Sequence, residues 1–296
     1  MSAIKPARVQ LPQLSTPACP DASLDASPEE TPYRTHRRFD RAARLFTEPG
    51  LHTLMGARVL VIGMGGVGSF AAEALARSAV GRLVLIDFDD ICVTNHNRQL
   101  HALKGEIGKR KVDVMAERIR RIHPTGEVDA VAQFYSAETS EQLLAGDIDF
   151  VVDAIDNIKA KVHLIATCIE RNIPLVSSMG CAARLDPTCI EVGDLAHTRG
   201  DPMAKNVRRA LKKNYGIAAT GMTPLGVHAV FSQEPPIEPA PVSYDKGQGF
   251  RCVCPQGNNG LHDCDRRARI DGSAGFVTGT FGLTCASVVV RRLIAR

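Results

Sequence analysis

The stretch VLVIGMGGVGSFAAEAL (residues 59–75) constrains what this chain can fold into more than any other segment. A β-branched apolar run stops at Gly63, glycines recur at Gly65, Gly66 and Gly68, and an alanine-rich helical pattern comes directly after. Where side chains are missing at such a strand-to-helix turn, a phosphate can approach the backbone N–H groups of the helix N-terminus. Asp87 closes the next apolar run, RLVLID (82–87), where an acid can hydrogen-bond ribose hydroxyls. These features alone fit NAD and ATP equally well.

The same alternation continues along the chain. ARVLVI (57–62), RLVLID (82–87), EVDAVA (127–132), DFVVDA (149–154) and IPLVSS (173–178) read as strands. Helical patterns at 66–80, 108–122, 136–145 and 157–171 lie between them, so the chain is expected to form an α/β fold with a doubly wound, mostly parallel, Rossmann-like sheet. A less regular region begins after Met179, with strands expected at 189–195 and 226–234 around a charged helix at 201–214.

The expected organisation is a disordered arm over 1–32, a nucleotide-binding domain over 33–195 and a C-terminal substrate or dimerisation region over 196–296. Pro, Gly, Asn and charged residues dominate 235–273, which is expected to be a flexible loop. The apolar segment 274–290 is broken by Gly, Thr and Ser, and reads as a buried or dimer-packing helix rather than a membrane-associated one. Nine scattered cysteines, in a chain that opens without an apolar signal sequence, point to a reducing cytoplasm. A formal charge of +4 permits an anionic partner without requiring one.

The blocks downstream of Asp87 are more specific. DFDDICVTNHNRQLH, GEIGKRKVDVMAERIRRIHP and VVDAIDNIKAK stand in an order and spacing that resembles the ubiquitin-activating-like superfamily of ThiF/MoeB type. RFDRAARLF before the first strand, LDPTCIEVGDLA and the late GSAGFVTGTFGL are most similar to the tRNA threonylcarbamoyladenosine dehydratases within it. The resemblance runs from about residue 38 to the C-terminus, and implies an ATP-dependent adenylating ligase or cyclase that acts on tRNA as a homodimer.

The resemblance also implies roles. Arg98 and Lys111 would meet the ATP phosphates, and the residue types agree: guanidinium offers a planar fork and ammonium a compact point charge. Asp156, at the end of a predicted strand, would be the Mg²⁺ ligand, and the same carboxylate could also cap the next helix. Asp87, Asn95 and Gln99 would complete the nucleotide pocket around Gly63, Gly65, Gly66 and Gly68. From the segment holding Arg38, Arg41 and Arg44, an arginine, here Arg44, would cross the dimer interface to the neighbour's phosphates.

Two clusters remain. Cys252, Cys254, His262 and Cys264 supply zinc-type ligands but lack the paired CxxC spacing of structural zinc sites, which argues against zinc. Lys205, Arg208, Arg209, Lys212 and Lys213 form either a solvated helix face or a tRNA-binding one. Rival readings are adenylation of a sulfur-carrier C-terminus, with a sulfur-transfer protein as partner, and a nucleotide-binding scaffold. An NAD-dependent oxidoreductase is a third.

Overall fold

The computed structural model describes residues 36–218, 223–240 and 270–295. The arm expected over 1–32, most of the 235–273 loop and the Cys252, Cys254, His262, Cys264 cluster lie outside the described residues.

Every expected strand forms. Strands β1 (Arg58–Ile62), β2 (Arg82–Ile86), β3 (Glu127–Val131), β4 (Phe150–Asp153), β5 (Leu175–Ser178), β6 (Ile190–Asp194) and β7 (His228–Ser232) join in one seven-stranded sheet of order β3-β2-β1-β4-β5-β7-β6. All neighbouring pairs are parallel except β6 with β7. The strand order reverses between β1 and β4, which opens a crevice at the carboxyl ends of these strands, where open α/β sheets bind ligands.

Alternation along the strands divides the core in two. Val59, Val61, Leu83, Leu85 and Val152 face one layer of helices; Leu60, Ile62, Val84, Ile86 and Val151 face the other. The first layer holds α3 (Gly68–Arg77), α4 (Lys111–Ile122) and α8 (Gly275–Ile294); the second holds α6 (Ile158–Glu170) and α7 (Pro202–Tyr215). The division expected after residue 195 falls inside this architecture: β7 inserts between β5 and β6, and α8 shares the core of β1. By length and composition α8 could cross a membrane, yet 61% of its apolar window is buried inside the protein.

Local chemistry explains the departures from the expected helices. In place of a helix over 136–145 there is only the short α5 (Ser140–Leu143). The Thr139 hydroxyl donates to the Phe134 carbonyl (2.8 Å) and accepts from the Ser136 N–H (2.9 Å), which gives this backbone an alternative to helix. Before β1 stand α1 (Asp40–Phe46), within the RFDRAARLF block, and α2 (Glu48–Gly56). Thr47 caps α2 by accepting from the Gly50 N–H, and Pro49 occupies its first turn.

The late glycine-rich block is accounted for by packing between α3 and α8. A Cβ on Gly282 would lie 2.3 Å from the Val67 carbonyl oxygen, so this glycine lets the two helices touch backbone to backbone. One turn earlier, Thr278 abuts Gly66, and a Cβ on Gly275 would lie 2.6 Å from the Asn97 carbonyl oxygen. The last helix of the chain is thereby seated against the first glycine loop.

Candidate functional site

The glycine loop runs from the end of β1 into α3, and its glycines do different jobs. Gly63 has φ +94°, and a Cβ there would lie 2.6 Å from the Ala154 carbonyl oxygen; a Cβ on Gly68 would lie 1.8 Å from the Gly63 carbonyl oxygen. Both are demanded by the protein's own backbone. Around Gly65 there is room: the nearest atom to a Cβ there is the side-chain nitrogen of Gln99, at 3.9 Å. A ligand can approach the loop backbone on that side.

Asp87, just past β2, holds the loop. Its carboxylate accepts from the Met64 N–H (2.5 Å) through one oxygen and from the Asp89 N–H (2.8 Å) through the other. A carboxylate offers about four lone-pair positions, so ribose hydroxyls can still be accommodated. Lys111 opens α4, where Gly108 (φ +86°) and a bridge between Asp90 and Arg110 turn the chain back onto the β2 end. Its ammonium is buried and sits 2.7 Å from Asp89 Oδ2.

Burial disfavours the Lys111 cation, but the carboxylates of Asp87, Asp89 and Asp156 outweigh it and raise the pKa above the usual lysine value. The charged form of Lys111 is therefore the favoured one. For Asp87, burial and the like charge of Asp89 outweigh Lys111 and the two N–H donors, so its pKa is raised.

Arg98, half-buried, donates to the Thr94 carbonyl (2.9 Å) and to Asn97 Oδ1 (3.0 Å), and its own carbonyl borders Gly66. Asn95 is buried and accepts from the Cys92 N–H (2.9 Å), closing the turn that carries Arg98. Gln99 is buried beside the loop, its carbonyl oxygen 3.0 Å from His101 Nε2.

Asp156 lies exposed just beyond β4. Asn157, not Asp156, caps α6, accepting from the Ala160 N–H at 3.1 Å. That corrects the expected capping role and leaves Asp156 available to a ligand. Its hard oxygen donors at the carboxyl end of a strand suit Mg²⁺, which needs few protein ligands when waters and phosphate oxygens complete its shell. Among the described residues no group of three or more His, Cys, Asp or Glu is placed to hold a metal.

Beneath Asp156 is a network that the strand and motif pattern did not reveal. Lys161 Nζ, fully buried, lies 2.7 Å from Asp153 Oδ2 and 3.0 Å from the Ser178 carbonyl oxygen, while the Ser177 hydroxyl donates to the same carboxylate at 2.5 Å. The other Asp153 oxygen accepts from the Ile155 N–H (3.1 Å), so this pair pins the turn that presents Asp156. Asp89, the second acid of the Asp-x-Asp strand end, was assigned no role from the sequence, although it is the partner of Lys111.

Arg44 lies exposed on α1 and pairs with Asp40 at 3.1 Å. Arg38 and Arg41 line a cleft of about 460 Å³ with Arg37 and Arg77. The basic helix α7 divides its five residues. Lys205, Arg209, Lys212 and Lys213 are exposed or partly so, but Arg208 turns inward and donates to the Leu195 carbonyl (3.3 Å) and to the Thr198 hydroxyl. It belongs to the fold rather than to the basic face.

A family model described as "ThiF family" matches residues 39–296. A tRNA threonylcarbamoyladenosine dehydratase of Escherichia coli (strain K12) is 40% identical over 260 residues, spanning 88% of this chain and 94% of that protein. One of Bacillus subtilis (strain 168) is 49% identical over 200 residues, 68% of this chain and 76% of the relative. The solved structure of the E. coli tRNA N6-threonylcarbamoyladenosine dehydratase in complex with ATP superposes with a TM-score of 0.76 at 38% identity, covering 90% of this chain and 96% of that one.

Proposed function

The chain belongs to the ThiF family, and from that premise we propose that it uses ATP to cyclise threonylcarbamoyladenosine in tRNA through a carboxyl adenylate. The observation that carries the reading is the buried Lys111 ammonium, held by Asp89 beside a glycine loop that is itself anchored by Asp87.

A carboxylate is a poor acyl electrophile. Attack of the threonyl carboxylate oxygen on the α-phosphorus of ATP breaks the bond to pyrophosphate and makes that oxygen part of a good leaving group. The neighbouring carbamoyl group then attacks the activated carbonyl carbon, AMP departs, and the ring closes. The product is the substrate less one water, whose oxygen leaves on AMP and whose two hydrogens leave as protons. Because nucleophile and electrophile belong to one molecule, proximity replaces a relayed acyl intermediate.

Lys111 and Arg98 meet the charge that builds on the phosphates, as fixed cations needing no reorganisation during reaction. The glycine loop supplies backbone N–H donors, Asp87 the ribose contact, and Asn95 and Gln99 border the pocket. Asp156 would hold Mg²⁺, which when bound neutralises phosphate charge as a Lewis acid. In a homodimer, Arg44 of one protomer would reach the phosphates of the other. Lys205, Arg209, Lys212 and Lys213 would lie along tRNA phosphates.

Mass spectrometry of tRNA nucleosides from cells with and without the protein tests this. The cyclised nucleoside should vanish without it and return with the wild-type chain but not with Lys111→Met. Persistence of the cyclised form would overturn the substrate assignment. Pyrophosphate release triggered by a sulfur-carrier protein, rather than by tRNA, would replace it with carrier adenylation.

A further inference from the structure

His101 comes just after the TNHNRQ block, is only 1% exposed, touches Gln99 and lies near enough to Lys111 to feel its charge. Its two ring nitrogens are in different situations. Nε2 lies 3.0 Å from Gln99 Oε1, whereas Nδ1 is buried with no hydrogen-bond partner.

That asymmetry fixes the protons. A buried N–H without a partner is costlier and rarer than a bare ring nitrogen, so Nδ1 is the unprotonated atom and Nε2 carries the hydrogen. The opposite tautomer would strand an N–H in the core and set two lone pairs against each other at 3.0 Å. Burial and the Lys111 cation push the His101 pKa down to about 3, so the ring stays neutral wherever the protein is folded and active. A donor at Nε2 requires an acceptor opposite, so the group of Gln99 that faces His101 is its carbonyl oxygen. The amide NH₂ is then turned toward Gly65, where the structure leaves room beside the loop.

We propose that His101 is a positioning residue for nucleotide binding: by engaging the Gln99 carbonyl, it obliges Gln99 to present N–H donors, not an oxygen, to the phosphates at the glycine loop. The inference rests on the ATP reading of that loop. A freely rotating glutamine would spend part of its time with a carbonyl oxygen toward an anion, which is repulsive. The buried, non-titrating imidazole removes that orientation at every pH of interest.

ATP binding to purified protein, followed by calorimetry, tests this with His101→Leu, His101→Gln, Gln99→Ala and the Gln99→Ala/His101→Leu double variant, each with its Tm recorded. His101→Leu should weaken ATP about tenfold, as expected for losing a correctly aimed donor to a charged group. His101→Gln, which restores an amide N–H near the Nε2 position, should stay within about threefold of wild type. The double variant should bind no worse than Gln99→Ala alone, because His101 acts only through Gln99. If His101→Leu fails to fold, His101→Phe keeps the ring without the donor and takes its place. Wild-type affinity in the Leu or Phe variant, or losses that add in the double variant, would overturn the positioning role. Failure of wild-type protein to bind ATP would overturn the nucleotide reading itself, and this inference with it.

Discussion

Replacing Gly282 by Ala sets two effects of opposite sign against each other. Alanine in a helix interior is favoured over glycine by about 1 kcal/mol, so an exposed glycine in α8 would gain stability from the change. At this position the new methyl would lie 2.3 Å from the Val67 carbonyl oxygen, 2.8 Å from Phe70 Cβ and 3.0 Å from the Ala71 nitrogen. The closest approach is far short of ordinary contact. Two of the three atoms are backbone of α3 and its entry, so no side-chain rotation relieves the clash and α8 must shift as a body. Overpacking of this kind costs roughly 1–3 kcal/mol, and a backbone clash belongs at or beyond the upper end. The net destabilisation should be about 2 kcal/mol, which lowers Tm by about 3 °C in a chain of this size. Gly279→Ala is the control: its methyl would meet only the Phe70 ring at 3.2–3.3 Å, and that ring can move. Thermal unfolding of both variants should show a clear loss for Gly282→Ala and a change within about 1 kcal/mol for Gly279→Ala. Because Thr278 in the same helix abuts Gly66, the KM for ATP should rise in the first variant only. A Gly282→Ala protein that melts at or above wild type would refute the packing argument.

Asp156→Ala should remain folded yet release pyrophosphate about 10²-fold more slowly, and turnover within a few fold of wild type would remove Asp156 from the site. Mixing Arg44→Ala with Lys111→Ala protomers should restore activity in heterodimers, since one composite site is then whole; heterodimers that form without rescue would return Arg44 to the surface. Reversing Arg209 and Lys212 to Glu should weaken tRNA binding and flatten its salt dependence while ATP affinity holds, and unchanged tRNA affinity at low salt would make α7 a solvated face. Replacing Cys181 by Ser should leave cyclisation within several fold of wild type, because burial pushes its thiol pKa up to about 11 and no thiolate is needed; loss of activity with an acyl adduct trapped on Cys181 would revive a relayed mechanism.

The strands were legible because a parallel sheet buried on both faces demands near-continuous β-branched runs, and those runs end at turn residues. The glycine loop and the places of Asp87 and Asp156 could be read from those strand ends, whereas the roles expected of Lys111 and Asp156 came from the family resemblance. The features that escaped were of two kinds. Thr47-Glu48-Pro49 is a helix-start signal that would have found α2, and Ala204, Val207, Arg208 and Leu211 share one helical stripe, which places Arg208 on the inner face of α7. Lys161 obeys the same rule between Ile158, Leu164, Ile165 and Cys168. A charge on an apolar stripe was the available signal in both cases. Asp89 is the second acid of an Asp-x-Asp strand end, but its pairing with Lys111 arises only where the chain returns from β2 to α4, and the burial of His101 beside its near neighbour Gln99 is set by tertiary packing.

The charges at this strand edge lead one step further. Among the described residues the carboxylates of Asp87, Asp89 and Asp156 gather around the one buried ammonium of Lys111, so this part of the strand edge carries more fixed negative than positive charge. Lys111 is also bound to Asp89, and must either share its ammonium or exchange that partner when phosphates arrive. A polyanionic nucleotide would be held weakly by such an edge if backbone N–H groups, Lys111 and Arg98 were all it met. The proposed Mg²⁺ at Asp156 and the proposed Arg44 from a second protomer would each supply the missing sign: the ion would turn Asp156 from a repulsive group into an anchor, and the arginine would add charge without adding a carboxylate. Asp87 and Asp89 remain necessary, because one fixes the loop and the other keeps the buried ammonium charged. The site thus separates two duties. Carboxylates hold the protein's own loop and cation in place, and the proposed external cations would complete the grip on the phosphates at the moment of adenylation.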